Sequence, residues 1–135
     1  LKNIEKKHGK SLNEYIRIEK FIFNMDEMYK ASDMCVTRAG AMTVTELAIT
    51  AKPAILIPLP SAAENHQLYN AKVLENAGAG KIIEQKNLNE NILNSTILEM
   101  ISNDNIAQMS TNARKLVING VDEKIYKCIK ESIKK

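Results

Sequence analysis

Three short clusters carry the residue types that do chemistry. The first is Arg38-Ala39-Gly40-Ala41-Met42-Thr43, small residues set between an apolar run, Met34 to Thr37, and a helical pattern. A strand, a tight loop and a helix in that order place free backbone N–H groups and a positive helix end at a sheet edge. Anionic groups, phosphates above all, bind at such places. Small residues also let a ligand approach the backbone closely. An ordinary strand-to-helix turn uses the same residues. The run is neither a GxGxxG fingerprint nor a P-loop, since no Gly-Lys-Ser/Thr follows.

The second cluster centres on Glu46. One turn into the helix, its carboxylate is placed to accept hydrogen bonds from two vicinal hydroxyls, as on a ribose. A structural alternative stands beside this one. Thr43-Val44-Thr45-Glu46 matches Ser/Thr-x-x-Glu, a capping box in which Glu46 reaches back to the Thr43 N–H. The third cluster is Glu64-Asn65-His66-Gln67, after Pro58-Leu59-Pro60. An amide donates and accepts at once, which suits a sugar hydroxyl. His66 reads as a general base or as a solvated helix-start residue.

These clusters need elements to position them. The spacing predicts a helix end over Leu1 to Lys10, a β-prone run at Tyr15 to Ile18 followed by Phe21-Ile22-Phe23, and a short helix from Asn24 or Asp26. That helix carries Met25, Met28 and Tyr29 inward. A strand follows at Met34 to Thr37, then a helix over Thr43 to Ala51 with Val44, Leu47 and Ala48 on one face. Ala54 to Ile57 is an uninterrupted apolar run, as in a parallel strand covered on both faces. Pro58 and Pro60 end it. Gln67 to Ala77 reads as helix, with Tyr69, Val73 and Ala77 four apart and Gly78 as its cap. Lys81 to Glu84 is a further strand. The remainder is helical, with Leu93, Ile97 and Ile101, then Ile106, Met109, Ala113 and Leu116, then Ile125, Ile129 and Ile133 as apolar stripes. The last stripe faces Lys124, Lys127, Lys130, Lys134 and Lys135. It reads as a packing face with solvated lysines, or as a surface for an anionic membrane or a partner.

Strands alternate with helices four times, so the chain is expected to be α/β with a parallel sheet. Ligands of such sheets sit outside the carboxyl ends of the strands. That rule puts Phe21 to Met25, Arg38 to Thr43 and Pro58 to Gln67 on one rim.

With 135 residues, 44% hydrophobic and 26% charged, one globular domain is expected. No apolar run is long enough to span a membrane. The net charge of +3 and an aromatic content of 4% argue against a nucleic-acid binder. The two cysteines, Cys35 and Cys128, read as free buried thiols. Together with the two histidines they make no zinc spacing. No signal peptide is visible at Leu1 to Glu5, and the missing initiator Met suggests a piece of a longer chain.

Taken together, four segments resemble one family. They are Arg38-Ala-Gly-Ala-Met-Thr-Val-Thr-Glu46, Lys52-Pro-Ala-Ile-Leu-Ile-Pro-Leu-Pro60, Glu64-Asn-His-Gln-Leu-Tyr-Asn-Ala71 and Ala77-Gly-Ala-Gly80. In order and spacing they are similar to the MurG family, the bacterial transferases that move N-acetylglucosamine from UDP-GlcNAc to lipid I and so make lipid II for peptidoglycan. The resemblance is tightest from Phe21 to Lys86. It implies an α/β, parallel-sheet, Rossmann-like fold, the larger part of the C-terminal domain of a GT-B glycosyltransferase. Residues 1–135 are then a partial UDP-sugar-binding domain, without the N-terminal acceptor domain and without a Gly-Gly-Ser-type loop.

The resemblance also implies roles. Ile22, with Met25 nearby, matches the position whose backbone reads the uracil edge. Ala41, Met42, Thr43, Val44, Thr45 and Glu46 match the segment that wraps the diphosphate and ribose, with Glu46 on the ribose hydroxyls. Gln67 matches the amide that contacts the GlcNAc hydroxyls, and His66 is its neighbour. Arg38 matches a position that supports the phosphate loop. No cofactor and no essential metal is implied, and no catalytic residue is assigned. The acceptor, lipid I, is expected on the N-terminal domain, and the enzyme on the inner face of the cytoplasmic membrane as a peripheral protein. By itself the chain is expected to transfer no sugar. Two rivals are another GT-B enzyme or donor-binding subunit, and a non-catalytic nucleotide-binding module.

Overall fold

The computed structural model describes residues 15–102 and 104–133. The predicted helix over Leu1 to Lys10 lies outside them. The elements, in chain order, are α1 (Met25–Ala31), β1 (Cys35–Thr37), α2 (Ala41–Ile49), β2 (Ala54–Leu56), a 3-10 turn at Ala63–Asn65, α3 (His66–Asn76), β3 (Gly80–Ile82), a second 3-10 turn at Gln85–Asn87, α4 (Glu90–Ile101), α5 (Asn105–Arg114) and α6 (Val121–Ile133).

The three strands form a parallel sheet in the order β1-β2-β3. Cys35 pairs with Ala54, and Ala54 with Gly80. Every residue of β2 is buried, as its unbroken apolar run requires. Its side chains alternate between two cores. Ala54 and Leu56 pack with Leu47 of α2 and with Ala71 and Leu74 of α3. Ile55 points the other way, into a cluster with Ile83, Met100 of α4 and Met109 of α5. Helices therefore cover both faces of the central strand. On the outer side of β1, Val36 is 46% exposed.

Helices α2 and α3 end alike. Ala51 (φ 54) and Gly78 (φ 67) adopt the left-handed conformation, and the next residue donates back into the helix: Lys52 N to Leu47 O at 2.8 Å, Ala79 N to Leu74 O at 2.8 Å. Both left-handed residues offer their carbonyls to α5. Ser110 Oγ donates to Ala51 O (2.7 Å) and Asn112 Nδ2 to Gly78 O (3.2 Å). One helix thus pins the two turns that lead into β2 and β3.

Several expectations are corrected. Tyr15 to Ile18 and Phe21 to Phe23 form no strand, so three strands rather than four alternate with helices among the described residues. Phe21 and Phe23 instead stack edge-on at 4.8 Å and stay exposed. Met25 and Met28 are also exposed, and Tyr29 alone of the three inward positions of α1 is buried. In α3 the buried face is Ala71 and Leu74, while Tyr69 and Val73 are exposed. Ile101 is exposed at the end of α4, and its neighbour Met100 is buried. Helix α6 buries none of its residues against the rest of the described chain, so its isoleucines are no packing stripe there. Cys128 lies on that helix and is exposed; Cys35 is half-buried, and both are free.

Candidate functional site

The rim is built at the carboxyl ends of the three strands. After β1 the chain runs through Arg38, the fully buried Ala39 and Gly40, which is the N-cap of α2 with an extended backbone (φ −63, ψ 151). No side chain caps this end, and its first turn holds no acidic residue. The first backbone bond is Val44 N to Gly40 O at 3.0 Å. The N–H groups of Ala41, Met42 and Thr43 therefore precede the intrahelical ladder. They point out of the helix end together with its positive dipole. Ala41 and Met42 are exposed and Thr43 is half-buried.

This start lies two residues earlier than predicted, and it overturns the capping box. Thr43 is inside the helix, not at its cap, so Glu46 has no Thr43 cap N–H to serve. Glu46 Oε2 instead accepts from the Tyr29 hydroxyl at 3.0 Å, seventeen residues away in sequence. Tyr29 is buried. Its phenol is pushed up to about 12, first by burial and then by the Glu46 carboxylate. It stays a protonated donor through the neutral range.

Around this helix end, polar side chains lock the rim loops. Arg38 Nη1 donates to Ile57 O (3.1 Å) and to Gln85 Oε1 (2.7 Å), so one guanidinium joins the ends of β1, β2 and β3. Asn70 Nδ2 donates to Ala39 O (3.1 Å), which fixes the small-residue turn against α3. In the loop after β2, Leu59 N donates to Gln67 Oε1 at 2.9 Å. A backbone donor demands the carbonyl end of that amide, so the Gln67 NH2 group is the end left for a ligand. Just before α3, Glu64 (φ 49) and Asn65 (φ 56) are both left-handed. Two consecutive non-glycine residues in this region store backbone strain, a feature that clusters at ligand sites. They set His66, exposed, and Gln67, half-buried, at the head of α3. Beside them Pro58, Pro60, Asn65, Leu68, Glu84 and Gln85 line a cleft of about 170 Å3.

The structure thus gathers Arg38, Ala41, Met42, Thr43 and Gln67 on one rim, with His66 beside them. Glu46 sits one turn behind. Ile22 lies three residues before α1 and Met25 opens it, each a little over one-third exposed. No strand leads into Phe21 to Met25 among the described residues, so the strand-end rule does not put this segment on the rim as expected; α1 meets α2 through the Tyr29–Glu46 bond. Two residues of the matched segment face elsewhere. The Val44 side chain packs on the core and its N–H is spent on Gly40 O. The Thr45 hydroxyl donates to Ala41 O at 3.0 Å. Sequence reasoning missed Tyr29 as a site residue, and also Gln85 and Asn70. Nothing local marks them, since each acts across 17 to 47 residues of chain. Among the described residues, no three His, Cys, Asp or Glu side chains gather to hold a metal ion, and no helix is long and apolar enough to cross a membrane.

Comparison with known proteins bears directly on this arrangement. The family model of the glycosyltransferase family 28 C-terminal domain matches residues 2–130. The chain belongs to this family. Its relatives include the UDP-N-acetylglucosamine–N-acetylmuramyl-(pentapeptide) pyrophosphoryl-undecaprenol N-acetylglucosamine transferases of Acetivibrio thermocellus and Crocosphaera subtropica. The first is 41% identical over 132 residues, 97% of this chain and 36% of the relative. The second is 41% identical over 121 residues, 89% of this chain and 34% of the relative. The crystal structure of Acinetobacter baumannii MurG superposes with a TM-score of 0.81 at 32% identity, covering 86% of this chain and 35% of that one. The chain spans about a third of the length of these relatives. The likeness to MurG holds in sequence and fold alike.

Proposed function

We propose that this chain is the donor-binding part of a glycosyltransferase that moves N-acetylglucosamine from UDP-GlcNAc to lipid I, making lipid II in peptidoglycan synthesis. In this reading residues 1–135 are the larger part of the C-terminal domain of a GT-B enzyme. The observation that carries it is the uncapped N-terminus of α2, with three outward N–H groups and no acidic residue in its first turn. A diphosphate bound there receives hydrogen bonds and dipole stabilisation at once. The names of the relatives supply the sugar and the acceptor class.

The chemistry follows from the charge. The acceptor hydroxyl attacks the anomeric carbon, with inversion, and UDP leaves. Negative charge grows on the diphosphate, so donors fixed at Ala41 to Thr43 stabilise the transition state more than the ground state. Glu46 accepts from the ribose hydroxyls, Gln67 donates to sugar hydroxyl oxygens, and Arg38 holds the loop ends in register. Ile22 and Met25 meet the uracil. Lipid I enters from the N-terminal domain, at the inner face of the cytoplasmic membrane, where the enzyme is peripheral.

Glu46→Gln is the sharper test of the ribose role. The amide keeps a carbonyl for the Tyr29 hydroxyl, whereas Glu46→Ala would strand it. In the full-length gene product, Glu46→Gln should weaken UDP binding about 3- to 10-fold, the loss of one charge-assisted hydrogen bond. The thermal midpoint should stay within about 2 °C, since the variant leaves no buried donor unpaired. Unchanged affinity would remove Glu46 from the site.

A further inference from the structure

Glu46 and the segment around Ile22 lie on different elements, yet a nucleoside must meet both. The segment around Ile22 leads into α1, and the structure joins α1 to α2 at two points. The Tyr29 hydroxyl donates to Glu46 Oε2 at 3.0 Å, midway along α2. At the end of α1, Ser32 Oγ donates to Tyr29 O (3.1 Å), and Lys52 Nζ donates to Ser32 O (2.7 Å). Lys52 follows directly on the turn that closes α2. Helix α1 is therefore tied to the middle and to the end of α2. Tyr29 takes part in both ties, once by its phenol and once by its carbonyl. Its ring is also the one residue α1 sends into the core, beside Leu47 and Ala39.

We propose that Tyr29 is a positioning residue of the nucleoside site, holding Glu46 by one carboxylate oxygen and fixing α1, into which the base-reading segment leads, against the ribose-reading carboxylate of α2. The proposal rests on the donor-site reading above. Free Glu rotates about three side-chain bonds. Anchored through Oε2, it presents Oε1 in one place, and among the described residues Oε1 has no partner. The ligand then meets a carboxylate whose ordering cost has already been met on folding. Tyr29 touches no part of the nucleotide in this account. It acts through Glu46.

The test compares UDP with 2′-deoxy-UDP on the full-length gene product, by calorimetry, for the wild type, Tyr29→Phe, Glu46→Gln and the double variant. Phe keeps the ring in the core and removes the hydroxyl alone. We expect Tyr29→Phe to weaken UDP binding about 3- to 10-fold and 2′-deoxy-UDP binding much less, so that the preference for the ribonucleotide collapses. We expect the double variant to be no weaker than Glu46→Gln, as for two groups acting through one contact. Equal losses for both nucleotides would show a general structural role and overturn the proposal. So would an unchanged preference in Tyr29→Phe while Glu46→Gln loses it, an outcome that leaves the donor-site reading standing. An unchanged preference in Glu46→Gln overturns the ribose role itself. A measurement on the unmutated protein covers poor folding of a variant. The 13Cζ resonance of labelled Tyr29 should shift on adding UDP and not on adding uracil, and no shift with UDP overturns the proposal.

Discussion

Single side chains at this rim act mostly by holding backbone rather than by reaching outward. Arg38 illustrates this. It is exposed, yet its Nη1 spans Ile57 O and Gln85 Oε1 and so ties three strand ends. Arg38→Met should lower unfolding free energy by about 0.5–1.5 kcal/mol, the net value of such bonds, as measured by urea denaturation. It should also weaken UDP binding, because the loop that presents Ala41 to Thr43 loses its brace. Loss of affinity without loss of stability would point to a direct ligand contact instead. Residue types and spacing placed Arg38, Thr43, Glu46 and Gln67 in three candidate clusters, each with a structural alternative, and the resemblance to the MurG family is what implied their roles. The partner of Glu46 was not legible. Thr43 and Glu46 satisfy the capping-box spacing, and only the helix start at Ala41 decides against it. Gly40, with no side chain to offer, leaves that end open.

At the scale of elements, the strands are the most constrained parts. Gly80 begins β3 beside Ala54 of β2, and a Cβ there would lie 2.8 Å from the Ala54 carbonyl oxygen. Backbone cannot yield as a flexible side chain does. Gly80→Ala should therefore destabilise the protein by about 1–3 kcal/mol, read as a lowered urea midpoint. A midpoint equal to the wild type would mean that the sheet can widen at this point. The run at Ala54 to Ile57 was readable because a parallel strand buried on both faces needs continuous apolar residues, and the shorter apolar pairs within Met34 to Thr37 and Lys81 to Glu84 marked its two less buried neighbours. Tyr15 to Ile18 and Phe21 to Phe23 carry the same propensity and form no strand. β propensity describes fit to a half-buried pleated surface, and all of these residues except the half-buried Ile16 remain exposed, with no described strand beside them. In α3, four-residue spacing picked out Tyr69 and Val73, whereas the face that packs on the core is Ala71 and Leu74.

At the scale of the whole molecule, a doubly covered parallel sheet collects its functional loops at one end. Arg38 to Thr43 and Pro58 to Gln67 meet there as the topology rule predicts, and Glu84 to Lys86 join them. The α/β class was legible from alternating patterns. The amphipathic pattern of α6 was legible too, but not its placement: Ile125, Ile129 and Ile133 are all more than half exposed. Periodicity reveals an apolar face without revealing what meets it. On the proposed function, this rim binds a nucleotide sugar. Calorimetric titration of the full-length gene product with UDP-GlcNAc, beside UDP-glucose and TDP-glucose, tests it most directly. UDP-GlcNAc should bind saturably and one-to-one and be displaced by UDP, with weaker binding of both other donors. A folded protein that binds none of the three, or binds them alike, would contradict it.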